Sequence, residues 1–224
     1  MKLFAATLCV LLTACGGGGA SALPTAPLPN TPSAPNPAPR GTLTIAVVGD
    51  SISRYHIDPG PAPCGPVLGG PACGAFVTTD NYPTFVGSAL GATVVNLSIP
   101  GARTVTSPNG IPDILSEVPG IPTGADIVLF EGGTNDLPSY ALDRIDTVVS
   151  AIQKQAPKAR IIFVGVRYYA SSTPSRVDEW DSHEASLGTF VDLRWLTDVA
   201  DFPDGTHPSI TGVQKIAAAV LAKI

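Results

Sequence analysis

Five short apolar runs, separated by segments with a helical stripe, constrain this chain more than any other feature. The runs are Thr42–Val48, Thr93–Leu97, Ile127–Phe130, Arg160–Val166 and Phe190–Leu193. Each is nearly continuous in apolar and β-branched residues rather than alternating, the pattern of strands covered on both faces. Between and after them, Pro83–Leu90, Asp113–Val118, Tyr140–Gln155 and Ile210–Ile224 read as helices. In the third, Ala141, Leu142, Ile145, Val148, Val149 and Ile152 make one stripe that Pro157 stops. Strands alternating with helices predict a three-layer α/β/α sandwich around a five-stranded parallel sheet. The segment Ser171–Gly188 is polar and poorly periodic, and no element is assigned to it.

The chain ahead of the first run is of a different kind. Met1-Lys2 gives a basic start, and Leu3–Ala14 is an apolar stretch too short to span a bilayer as a mature helix. It ends in "LLTAC", followed by four glycines. A small residue before a cysteine, after such a stretch, resembles the lipobox of bacterial lipoproteins. The resemblance implies that residues 1–15 are a signal peptide with its lipobox and that Cys15 is lipidated. The protein would then be exported to the cell envelope and held at a membrane by acyl chains only. The competing reading is an ordinary signal peptide cleaved nearby. Residues 16–40 are Gly- and Pro-rich with almost no charge, cannot bury a core, and read as a spacer. The folded domain is therefore expected over 41–224.

Export bears on the remaining cysteines. Cys64 and Cys73, in "PCGPVLGGPACG", are expected to pair as a disulfide in an oxidising compartment. Zinc is the weaker reading, because no second Cys/His pair lies near. The loop that holds them, residues 52–81, leaves directly from Ser51 and is expected to wall one side of a cleft. With 13 Lys and Arg against 18 Asp and Glu, the net charge of -5 offers no basic patch and argues against a nucleic-acid partner.

In an open parallel sheet, ligands sit beyond the carboxyl ends of the strands. Gly49-Asp50-Ser51 follows the first run, "SIPGART" with Gly101 the second, and "EGGTNDLP" with Asn135 and Asp136 the third. "DFPDGTHPS", with Asp204 and His207, follows the fifth. Each block has an ordinary reading by itself. Ser51 alone is a turn serine, Gly101 is turn punctuation, Asp136 caps the helix at Tyr140–Gln155, and Asp204-Gly205 is a turn. Four blocks converging on one sheet edge point instead to a single site.

These blocks, in this order, resemble those of the SGNH hydrolase (GDSL esterase/lipase) superfamily, across essentially the whole domain. The resemblance implies a flavodoxin-like arrangement of the sheet and a serine ester hydrolase without metal or organic cofactor. Ile52 stands where leucine is commoner. The chemistry suits the residue types. A serine hydroxyl needs an adjacent base, here His207, and Asp204 lies three residues earlier, able to hold the imidazole tautomer. The amides of Ser51 and Gly101 and the side chain of Asn135 would donate to the oxyanion. No G-x-S-x-G elbow surrounds Ser51, which favours this arrangement over that of the α/β-hydrolases.

The expected substrate is a small-molecule, glycan or lipid ester. Short-chain or acetyl esters are favoured, and lipid or lysophospholipid hydrolysis and sugar O-acyl transfer are the alternatives. A surface binding module on the same fold would lack one of the blocks, and none is missing. His56 and His183 read as surface residues, with His56 close enough to Ser51 to line a pocket. Arg167, Tyr168, Tyr169 and Trp180 either meet substrate or pack at the periphery.

Overall fold

The computed structural model describes residues 42–58, 75–107, 109–137, 142–169 and 172–224. The strands are β1 (Thr44–Val48), β2 (His56–Ile57), β3 (Phe76–Val77), β4 (Thr93–Asn96), β5 (Ile127–Glu131), β6 (Arg160–Val164) and β7 (Thr189–Val191). The helices are α1 (Ser51–Arg54), α2 (Tyr82–Leu90), α3 (Ile114–Glu117), α4 (Asp143–Gln155), α5 (Pro174–Leu187) and α6 (Ile210–Leu221). Five strands form one parallel sheet in the order β4-β1-β5-β6-β7, and β2 pairs antiparallel with β3 outside it.

Continuous apolar runs are explained by a core on each face. Ile45 and Val47 of β1, Leu129 of β5 and Ile162 of β6 pack with Val86 of α2 and with Val213, Ile216 and Val220 of α6. Ala46, Val48, Phe130 and Phe163 face the other way, onto Ile145, Val148 and Ile152 of α4 and Val177 and Trp180 of α5. Phe130 and Phe163 are register partners whose rings meet edge to face at 5.7 Å. Each such side chain, once buried, contributes about 1.5–3 kcal/mol. Gly87 lets α2 press onto β4, since a Cβ there would lie 2.3 Å from Val94.

The five strands and four helices expected from sequence are present, with ends shifted by a few residues. Three features were not anticipated, the first being the single turn α1 that follows β1. The segment without a stripe forms α5, whose buried residues are Val177, Trp180, Asp181 and Glu184. Their spacing is helical, but two of the four are acidic, which erased the hydropathy signal. The β2–β3 ladder pairs only two residues per strand, too few for any period to register. Cys15, the spacer, Cys64 and Cys73 lie outside the described residues. No helix among the described residues is long and apolar enough to cross a membrane.

Candidate active site

The sheet order reverses direction at β1, so the crevice between the carboxyl ends of β1 and β5 is the topological switch point. Ser51 stands there, 5% exposed, as the first residue of α1. Asp50 caps that turn by accepting from the Ile52 amide at 2.9 Å. Gly49 is required by contact: a Cβ on it would lie 2.6 Å from the Glu131 carbonyl oxygen.

The loop after β7 brings His207 to Ser51 across 156 residues of sequence, with Nε2 3.0 Å from Oγ. Nδ1 of the same ring lies 2.6 Å from Asp204 Oδ2, while Asp204 Oδ1 accepts from the amides of Thr206 at 2.8 Å and His207 at 2.7 Å. Burial works against the Asp204 charge, but these donors outweigh it and hold the carboxyl below its usual range. With Nδ1–H given to the carboxylate, the neutral ring presents Nε2 as an acceptor. The arrangement can therefore take a proton from the Ser51 hydroxyl and stabilise the imidazolium that results. Arg167, after β6, fastens the loop by donating to the carbonyls of Gly205 and Tyr168, and its guanidinium lies 3.6 Å over the Phe202 ring.

Gly101 sits at a φ of +81°, in a turn closed by the Ala102 amide on the Ile99 carbonyl. Asn135 is present at the same edge with its amide engaged. Nδ2 donates to Asp50 Oδ2 at 2.8 Å and to the Ala102 carbonyl at 3.0 Å. A primary amide has two N–H bonds, so a further acceptor must displace one of these or share it. Asp136 does not cap α4, whose N-cap position is Leu142. It is buried and accepts from the Thr104 amide and hydroxyl, tying the loop after β4 to the loop after β5.

Beneath the serine lie carboxyls the sequence did not flag. Glu117 accepts from the amides of Gly49 at 2.8 Å and Ile99 at 3.2 Å, joining the nucleophile turn to the loop bearing Gly101. Burial pushes it up to about 9. Burial also raises Asp50 and Glu131, Glu131 well above the usual range. The nearby Asp50 charge adds to the rise at Glu131. Glu131 also accepts from the Asp50 amide and the Ser53 hydroxyl, each at 3.2 Å.

The aromatic candidates divide. Trp180 is fully buried under Gly133, where a Cβ would lie 2.5 Å from its indole nitrogen, so it packs the core. Tyr168 is spent on Asp178 at 2.6 Å. Tyr169 and Arg167 line a cavity of about 10 Å³ with Ile52, Thr134, Phe202 and Thr206, room for roughly one water. His56 is not a surface residue: it is 3% exposed, with Nε2 3.2 Å from Asp58. His183 is partly exposed and pairs with Asp146 at 3.0 Å. Among the described residues, no three His, Cys, Asp or Glu side chains are grouped to hold a metal ion.

Two aromatics missed in the sequence stand against the histidine instead. The Tyr55 ring is 5.3 Å from that of His207 and 4.3 Å from that of Phe76, and the Phe76 ring is 5.5 Å from that of His207. The available signal was the spacing of Tyr55, four residues after Ser51 at the end of one helical turn.

A family model described as GDSL-like Lipase/Acylhydrolase matches residues 47–215. A search of curated proteins finds no match. Solved structures of similar fold include a family two carbohydrate esterase from Clostridium thermocellum in complex with cellohexaose, at 18% identity and a TM-score of 0.61, over 84% of this chain and 65% of that one. An extracellular lipase from Streptomyces rimosus is 17% identical over 82% of this chain and 100% of that one, TM-score 0.57. Phospholipase A1 from Streptomyces albidoflavus is 15% identical over 82% and 100%, TM-score 0.59. At these identities the shared property is the fold.

Proposed function

The chain belongs to the GDSL-like lipase/acylhydrolase family and is a carboxylic ester hydrolase, and we propose that it works through an acyl-enzyme on Ser51. The single observation that carries this reading is the relay of contacts from Ser51 Oγ through His207 Nε2, at 3.0 Å, to Asp204 Oδ2 on Nδ1, at 2.6 Å. His207 takes the serine proton as Oγ attacks the ester carbonyl, then returns it to the departing alcohol. Asp204 keeps its charge and orients the ring. A water then repeats the sequence and frees the acid. The oxyanion is met by the amides of Ser51 and Gly101. Asn135 joins them when its bond to Asp50 or Ala102 opens.

The acyl group is short, acetyl foremost. Support comes from the cavity between the ends of β5, β6 and β7, beside Ile52 and Thr206, which has room for roughly one water and so offers no acyl channel in that direction. The fold is shared with a carbohydrate esterase and with lipases, so acyl length is the discriminating variable. A panel of esters of one alcohol with increasing acyl length, run on the native chain and on Ser51→Ala, tests both statements. The expected profile peaks at acetyl and collapses to background in the variant. A peak at long acyl chains overturns the substrate assignment, and equal rates for the two proteins overturn the mechanism.

A further inference from the structure

Tyr55 leaves α1 with its amide on the Ser51 carbonyl at 3.2 Å, so the turn that carries the serine also carries the tyrosine. Its ring lies between two others, and the strand that follows it is anchored beside them. Phe76 of the β2–β3 ladder packs on it, the His207 ring flanks it, and the Ile57 amide two residues on is bonded to the Pro208 carbonyl at 2.8 Å. The result is a hydroxyl held beside both reacting groups, 3.5 Å from His207 Nε2 and within hydrogen-bonding reach of Ser51.

Counting donors shows why this position is unusual. Nε2 of the neutral ring has one lone pair, and the Ser51 hydroxyl at 3.0 Å holds it. At 3.5 Å the Tyr55 hydroxyl is too far for a good bond to the same atom. Its hydroxyl, within reach of Ser51, is a donor beside the nitrogen that must hand its proton to the departing alcohol.

We propose that the Tyr55 hydroxyl is a catalytic hydrogen-bond donor to the alcohol oxygen of the ester, and to the attacking water that later takes that place. This rests on the acyl-enzyme reading above. During acylation, Ser51 Oγ bonds to the carbonyl carbon and its proton moves to His207 Nε2. The bond from that carbon to the alcohol oxygen then breaks, leaving the electron pair on oxygen, and the Nε2 proton transfers to it. Tyr55 loses no proton. It stabilises the charge that gathers on the oxygen before the transfer is complete. Burial raises the Tyr55 hydroxyl above its ordinary value, which keeps it a donor. The half-exposed Phe76 ring beside it gives the alcohol side of the site an apolar rim.

The test is leaving-group dependence. Acetate esters of alcohols ranging from p-nitrophenol to ethanol are compared in kcat/KM, which reports acylation, for the native chain and Tyr55→Phe. The variant keeps the ring and removes only the donor. The expected loss is about tenfold for the ethyl ester and under about twofold for p-nitrophenyl, whose oxygen needs little help. Labelling of Ser51 by a fluorophosphonate, which expels no alcohol, stays within about twofold of native. An equal loss across all esters, no loss, or a parallel loss of labelling assigns the hydroxyl a structural role or none and overturns the proposal. A native chain that neither labels nor turns over esters overturns the acyl-enzyme reading itself. A native chain that does both, beside a variant of unchanged slope, overturns only the role of Tyr55.

Discussion

Two groups of carboxyls lie at the same sheet edge and are driven in opposite directions. Asp204, about a quarter exposed at 24%, receives three N–H donors and is held below the usual range. Glu117 and Glu131 are enclosed behind Ser51, and burial pushes both up. The difference lies in donors and solvent, since all are ordinary carboxyls. A charged carboxylate can orient an imidazole and balance its charge. A neutral carboxylic acid cannot, but it can accept from backbone amides without the cost of a buried charge. The rim group holds the imidazole of His207, and the enclosed groups fasten the turns that present Ser51 and Gly101.

The most forceful way to break this contrast is to neutralise one member of each set. Asp204→Asn is expected to lower kcat by about 10³–10⁴-fold, because the amide favours the wrong imidazole tautomer. Glu117→Gln replaces a group already neutral near pH 7 by one of similar shape that keeps one of its two acceptor oxygens for the backbone amides, and kcat should fall by no more than about tenfold. Steady-state kinetics on a short acyl ester measures both. Comparable losses in the two variants would erase the distinction.

A smaller effect sharpens it. Glu117 binds its proton more tightly in the folded chain, at about 9, than at the ordinary value of 4.5. The folded state therefore carries the extra proton between those values, and stability falls as pH rises through that window. Asp204, held low, has the reverse sign: its contribution is present above its unfolded value and is lost as pH falls through the folded one. Urea midpoints from about pH 5 to about pH 9 should decline less steeply in Glu117→Gln than in the native chain. Parallel declines would mean that Glu117 is not the group responsible.

Most of the sheet could be read from the chain, because a strand buried on both faces has no polar position to interrupt its run. Ile45 to Val48 is the clearest case. α5 could not, since Asp181 and Glu184 occupy core-facing positions where the hydropathy pattern expects apolar residues. Asp181 is kept there by the Val166 amide at 2.9 Å, and Glu184 by the Trp180 indole at 3.0 Å. Ser51, Gly101, Asn135, Asp204 and His207 were legible because each follows a strand. Glu117 and Tyr55 were not. They reach the site from α3 and from the end of a single helical turn, and their contribution depends on contacts that no spacing announces. The ordinary reading put Asp136 at the cap of the helix that follows it in sequence, whereas it accepts from Thr104, on the loop after β4.

The central claim is that the ester's acyl group passes through Ser51. Rapid acid quench of the native chain during turnover of p-nitrophenyl acetate, followed by peptide mass analysis, tests it directly. The account predicts one acetyl group on the peptide that contains Ser51, with neither label nor turnover in Ser51→Ala. An acetyl group on another residue, or native turnover by Ser51→Ala, would contradict it.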